Sequence, residues 1–306
     1  MKQYLSFFRM RLVAGLQYRA AALAGMSTQF VWGTLEVLVY RAFWLESPEK
    51  FPMGMEALAS YIWLQQAFLA FFSLWQWEAP LMDAVQSGDI AYELTRPTDL
   101  YGMWMARSMA LRLSRAALRC WPILLVAAFI PAPYGLRLPA SLAAFGLFLV
   151  SMALMLTVVC ALVLVIYALG FTMESTRGVR WLALSAADLL GGAVVPLPFL
   201  PEPLRTFAAL SPFGAMQNVP LRIYSGDLAG GDLAAAMGLQ AFWCVFLIAL
   251  GARMTRSGVR RTVVAGGELF GVKVTKKNLN ARSPRCRLPH IRTVTERGLY
   301  GRMYRL

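Results

Sequence analysis

The chain has 306 residues, 58% of them hydrophobic and 15% charged, and its 30 Lys and Arg against 16 Asp and Glu give a formal charge of +14. Apolar residues gather into runs of about 17 to 30, long enough to cross a bilayer as helices, and they lack the 3.6-residue stripe of a soluble amphipathic helix. That patterning argues against a soluble globular protein and predicts an all-α integral membrane protein crossing the bilayer several times.

Residues 1–21 read as an interfacial helix, because Arg9, Arg11 and Arg19 interrupt any apolar core that a signal peptide would need, while Leu5, Phe8 and Leu12 share a face. Six spans are expected near residues 22–44, 57–77, 117–135, 140–170, 181–200 and 234–252. The fourth is longer than a bilayer requires and has to tilt or project. The fifth is broken by Gly191, Gly192, Pro196, Pro198 and Pro201. No internal repeat and no low-complexity segment is visible.

Basic residues flanking spans stay on the cytoplasmic side, and their distribution is one-sided. Lys2, Arg9, Arg11 and Arg19 precede the first span; Arg96, Arg107, Arg112, Arg115 and Arg119 lie before the third; Arg177 and Arg180 precede the fifth; and fourteen follow the sixth. The other side has Lys50, Arg137, Arg205 and Arg222, with Arg41 at a span end. Both termini are therefore expected in the cytoplasm. The positive charge follows from this topology, so no nucleic-acid partner is expected. The ten Lys and Arg after Gly267 suit a basic tail, 268–306, poorly ordered and loosely attached to anionic headgroups.

Catalytic chemistry has little to work with. The single histidine, His290, lies in the basic tail, so a Ser-His pair or an imidazole metal site has no imidazole in the spans. Cys120, Cys160, Cys244 and Cys286 lack CxxC spacing, which points to neither a disulfide nor a metal site. No Gly-Lys-Ser/Thr phosphate loop occurs, so the chain is not expected to be an enzyme by itself, nor to bind a nucleotide cofactor.

Within the spans the ionisable groups are Glu36 and Asp188, with Gln29, Gln65 and Gln66 as neutral polar company. A carboxylate in lipid costs about 2.5 to 3.5 kcal/mol on insertion scales, so both should face protein or water. For Glu36 a helix–helix hydrogen bond or an interfacial position near Arg41 is the simpler reading. Asp188, beside the broken glycine stretch, suits either a structural contact or the lining of a transport route.

The polar segment between the second and third spans, Gly88-Asp89-Ile90-Ala91-Tyr92-Glu93-Leu94-Thr95-Arg96-Pro97, resembles the cytoplasmic segment of ABC-2 type exporter permeases. Gly191 to Pro201 is similar to the ending of that family's fifth span. It is followed by Leu210-Ser211-Pro212-Phe213 and, further on, by Arg260 to Gly267, which resembles the family's closing residues. The resemblance covers about residues 1–267, the expected permease domain, and its motifs fall in the order, and on the sides, that six spans require.

The resemblance implies the membrane half of an ATP-binding-cassette exporter in a bacterial inner membrane. Two permease chains pair, and each docks a separate cytoplasmic ATPase that binds the ATP and Mg²⁺. Gly88, Asp89, Ile90, Tyr92, Leu94, Arg96 and Pro97 would form the coupling element. Gly88 can end the helix descending from the second span, Asp89 can cap a short helix through Leu94, and Pro97 can stop it. Thr98 or Asp99 can cap the next helix, on which Arg112, Arg115 and Arg119 form a basic stripe at headgroup level. Asp188, Gly191, Gly192, Pro196 and Pro198 would line an outer gate or translocation path. An ordinary solvated loop and a kinked span remain the plainer readings of these two segments. A secondary carrier or a membrane scaffold without an ATPase remains the alternative for the whole chain.

Overall fold

The structure, a computed structural model, describes residues 2–17, 19–87, 90–94, 98–173 and 175–266, and these are helical, with no strand among them. In chain order the helices are α1 (Lys2–Gly15), α2 (Arg19–Glu46), α3 (Met55–Ala67), α4 (Leu69–Phe72), α5 (Ala79–Ser87), α6 (Ala91–Leu94), α7 (Leu100–Phe129), α8 (Leu142–Leu169), α9 (Arg177–Leu190), α10 (Glu202–Leu210), α11 (Asn218–Ser225) and α12 (Gly230–Gly266). Short 3₁₀ turns lie at Pro48–Lys50 and Leu197–Phe199.

The centre is α8, apolar all round. Its second half, from Met155 to Ala168, is largely buried against α7, α11 and α12, while Leu142, Leu149 and Val150 in its first half are exposed. Exposed apolar side chains recur on α2 (Val31, Trp32, Leu35, Phe43), α7 (Trp121, Leu125, Phe129) and α12 (Phe242, Val245). Large apolar groups left uncovered on several helices are what a lipid-facing surface requires. Helix α1 runs along the first half of α7. The Tyr4 hydroxyl accepts a hydrogen bond from the Asp99 amide at 2.9 Å, and Gly15 lies against Ser114. The face expected to be apolar is divided, with Leu5 exposed and Phe8 and Leu12 half-buried.

Three expected spans end differently from their apolar runs. The second does not continue to residue 77: α3 breaks at Phe68, α4 stops at Phe72, and Ser73 to Glu78 is non-helical before α5 begins. Side chains from α7 and α8 hold that extended segment, a tertiary effect that local hydrophobicity does not register. The third span is continuous with the polar helix before it. Asp99 caps α7, its Oδ2 accepting from the Gly102 amide at 2.9 Å, and the helix runs 30 residues, about 45 Å, through Pro122 to Phe129. It ends ahead of Pro131 and Pro133, short of residue 135. The fifth span's helix, α9, has 14 residues, about 21 Å, and stops at Gly191 as the sequence suggests.

The bundle sorts its connections into two ends. At one, Trp104 meets Tyr167 and Phe171 with ring centroids 6.3 and 6.1 Å apart, and Arg180 sits 5.8 Å over Trp77. At the other, Phe199 packs 5.2 Å from Tyr40 and 5.3 Å from Phe51, Arg41 donates to the Tyr134 hydroxyl at 2.9 Å, and Arg137 pairs with Glu56. The described loops expected on one side of the membrane meet at the first end, and those expected on the opposite side meet at the second.

Candidate coupling segment and broken fifth span

Of the residues singled out for coupling, Gly88, Asp89, Arg96 and Pro97 lie outside the described residues, and Tyr92 is described only by its place in α6. Ile90 is fully buried, in the core cluster that includes Leu81, Val85, Leu100 and Trp104, and Leu94 is half-buried against it. The turn into α6 is closed by the backbone: the Ile90 amide donates to Ala84 O at 3.0 Å, and the Glu93 and Leu94 amides donate to Ile90 O at 2.9 and 3.1 Å. Ile90 thus fastens the segment to the helical core and is itself fully covered.

Four side chains of one broad face of α7 hold residues 70–94 rung by rung. The Trp104 indole N–H donates to Glu93 Oε2 at 3.0 Å. Arg107, its guanidinium 4.0 Å from the other Glu93 oxygen, pairs with Glu78, both being largely buried. The Glu78 amide in turn donates to the Tyr167 hydroxyl of α8 at 2.9 Å. Arg112, 1% exposed, donates to Ser73 O at 2.6 Å and more weakly to Ala70 O and Phe71 O at 3.3 and 3.4 Å, which closes the C-terminal end of α4. Arg115 donates to Gln76 Oε1 at 2.9 Å, and Gln76 Nε2 reaches Ser73 Oγ at 2.8 Å and Ala70 O at 3.0 Å.

The expected basic stripe at headgroup level is therefore corrected. Arg112 is inside the fold, Arg115 is half-buried on Gln76, and Arg119 is partly exposed. Glu78, Trp104, Gln76 and Tyr167 escaped sequence reading because the partners that tie them to other elements stand 11 to 89 residues away along the chain. The one signal was an isolated acidic residue, Glu78, at the end of an apolar run.

At the break expected in the fifth span, the chain turns after α9 and several of its backbone groups keep partners. The Gly191 amide still bonds Ala187 O at 2.8 Å, Gly192 turns to φ +85°, and the Ala193 and Val194 amides both return to Asp188 O at 3.2 Å. Two carbonyls left by the break are met by α3: Tyr61 OH donates to Gly192 O at 3.3 Å and Gln65 Nε2 to Ala193 O at 2.9 Å. Pro196, buried, leads into the 3₁₀ turn that contains Pro198. Beyond α10 the pattern repeats from α12. Gln240 Nε2 donates to Ala215 O at 2.9 Å while its oxygen accepts from Ser151 at 2.9 Å, and the Trp243 indole donates to Leu210 O at 3.0 Å. Irregular backbone at membrane depth is tolerated where protein supplies such partners.

The Asp188 side chain is half-exposed and has no partner among the described residues; its carbonyl does the structural work. For Glu36 the expected helix–helix bond is present, with Gln66 Nε2 donating to its Oε2 at 3.3 Å, whereas Arg41 is engaged by Tyr134. Of the cysteines, Cys120, Cys160 and Cys244 are buried free thiols.

No curated protein matches the chain. A family model described as ABC-2 family transporter protein matches residues 54–266, from the start of α3 to the end of α12. That range takes in the ladder on α7 and the break after α9, and it covers well over half of the sequence. The chain therefore belongs to the ABC-2 transporter family and is a membrane protein of the permease type.

Proposed function

We propose that the chain is the permease subunit of an ATP-binding-cassette exporter, pairing with a second permease chain and docking a separate cytoplasmic ATPase at residues 88–97. The observation that supports this best is the ladder from Glu93 and Glu78 through Trp104, Arg107, Arg112 and Arg115 into α7. A displacement of the 88–97 segment reaches α7 through charged and buried contacts, and α7 runs on as a rigid rod toward the far end of the bundle. The ATPase supplies the nucleotide and Mg²⁺ chemistry; this chain supplies positioned contacts and a path.

In this reading α2, α3–α4, α7, α8, α9 and α12 are the six crossings, in a bacterial cytoplasmic membrane. The end carrying Trp104, Tyr167 and Arg180 faces the cytoplasm together with both termini. The short α9 leaves the fifth crossing to be completed by the turns and helices after Gly191. Asp188, Gly191, Gly192, Pro196 and Pro198 then sit where an outer gate would open, supported by Tyr61 and Gln65. Residues 268–306 form a basic tail at the membrane surface.

The test uses the full chain with its cognate ATPase in liposomes. Trp104→Phe with Glu93→Gln should leave insertion and co-purification intact and lower transport per ATP hydrolysed. Transport that continues undiminished without any cassette ATPase would replace this reading with a secondary carrier. Unchanged coupling in the double variant would remove the ladder from the mechanism.

A further inference from the structure

The three arginines in the middle of α7 have different fates, and one of them has no counterpart among the described residues. Arg112 donates to backbone carbonyls and Arg115 to Gln76, but Arg119 makes no ion pair or hydrogen bond among the described residues. It is only partly exposed, in the crevice between α7 and α2, where α2 contributes Gly25.

The geometry there is specific. A Cβ on Gly25 would lie 2.7 Å from Arg119 Cζ and 2.9 and 3.0 Å from its two Nη atoms. Three nearly equal distances mean that the guanidinium plane lies flat across the glycine, so its N–H edges run to the sides of the glycine and not into it. A flat guanidinium with a free edge fits two oxygens of one phosphate bidentately. Two residues further on, Trp121 is 72% exposed, followed by Leu125 and Phe129 on the uncovered part of α7, an apolar surface along which acyl chains can lie.

We propose that the α2–α7 crevice at Arg119 and Gly25 is a binding site for the phosphate of an anionic phospholipid. Arg119 grips the headgroup phosphate, Gly25 provides the platform that orients the guanidinium, and the acyl chains lie along the apolar side chains beyond Trp121. The site requires only that the chain reside in a bilayer and is independent of ATPase docking.

The test measures lipid-induced shifts in the thermal unfolding midpoint of the full chain, purified in detergent and stripped of lipid, titrated with phosphatidylglycerol, phosphatidylcholine or inorganic phosphate. Phosphatidylglycerol should stabilise the protein at lower concentration than phosphatidylcholine, and Arg119→Gln should weaken its apparent affinity about fivefold. Gly25→Ala, which keeps every charge but fills the platform, should weaken it as well, and Arg119→Lys should retain part of it. Arg256→Gln, at an exposed position on α12, should leave it unchanged. Gly25→Ala and Arg119→Lys keep the test decisive if Arg119→Gln fails to fold. Equal affinity in wild type and Gly25→Ala, or an equal loss in Arg256→Gln, would overturn the site. An Arg119-dependent shift produced as well by inorganic phosphate would overturn its assignment to a lipid.

Discussion

Replacing Gly192 by alanine tests whether the break after α9 is a built feature held by α3. The residue sits at φ +85°, a conformation that costs an L-residue roughly 1 to 2 kcal/mol. Its new Cβ would lie 2.9 Å from Tyr61 Oη and 3.0 Å from Leu197 Cδ1, and both neighbours are almost wholly buried, so neither has room to retreat. Moving Tyr61 aside also removes the donor to Gly192 O, and an orphaned buried acceptor costs about 1 to 3 kcal/mol. The sum is a destabilisation of about 2 to 5 kcal/mol. The assay is thermal unfolding of the detergent-purified chain in a cycle with Tyr61→Phe. That single variant should cost about 1 kcal/mol by orphaning the same carbonyl. Because the tyrosine hydroxyl is also what the new methyl strikes, Tyr61→Phe should cost less in the Gly192→Ala background than alone. A neutral Gly192→Ala, or effects additive within about 0.5 kcal/mol, would refute the argument.

Arg112→Met should destabilise the chain by about 2 to 3 kcal/mol, through loss of the charged bond to Ser73 O, and should loosen the 73–78 segment. Hydrogen exchange of the residues around Ser73 checks this, since a helix simply prolonged toward residue 77 would exchange more slowly. Gln240→Leu should cost about 1 to 3 kcal/mol by orphaning Ala215 O and the Ser151 hydroxyl together, read as a lower unfolding midpoint with insertion unchanged.

What the sequence determined by itself was whatever acts over one helical turn or one bilayer thickness. Run length and all-round hydrophobicity gave the membrane class and located the long helices. Asp99 announced a helix start because a side-chain oxygen three residues before an unpaired amide can cap it, and the glycine pair at 191 and 192 announced a stop, which Gly192 makes by sitting comfortably at positive φ. The tertiary structure alone decided which polar groups meet. Arg112, Arg115 and Arg119 look like one stripe in sequence, yet one is sealed against the end of α4, one is bonded to Gln76, and one lies flat on Gly25. The second span stops at Phe72 although apolar residues continue, because α7 offers the Ser73–Glu78 backbone and side chains better partners than another helical turn would. Likewise Tyr61 and Gln65 gave no hint that they would serve carbonyls 131 and 128 residues away. Desolvation makes each buried polar group demand a partner, but the chain's folding path through space determines which one is within reach.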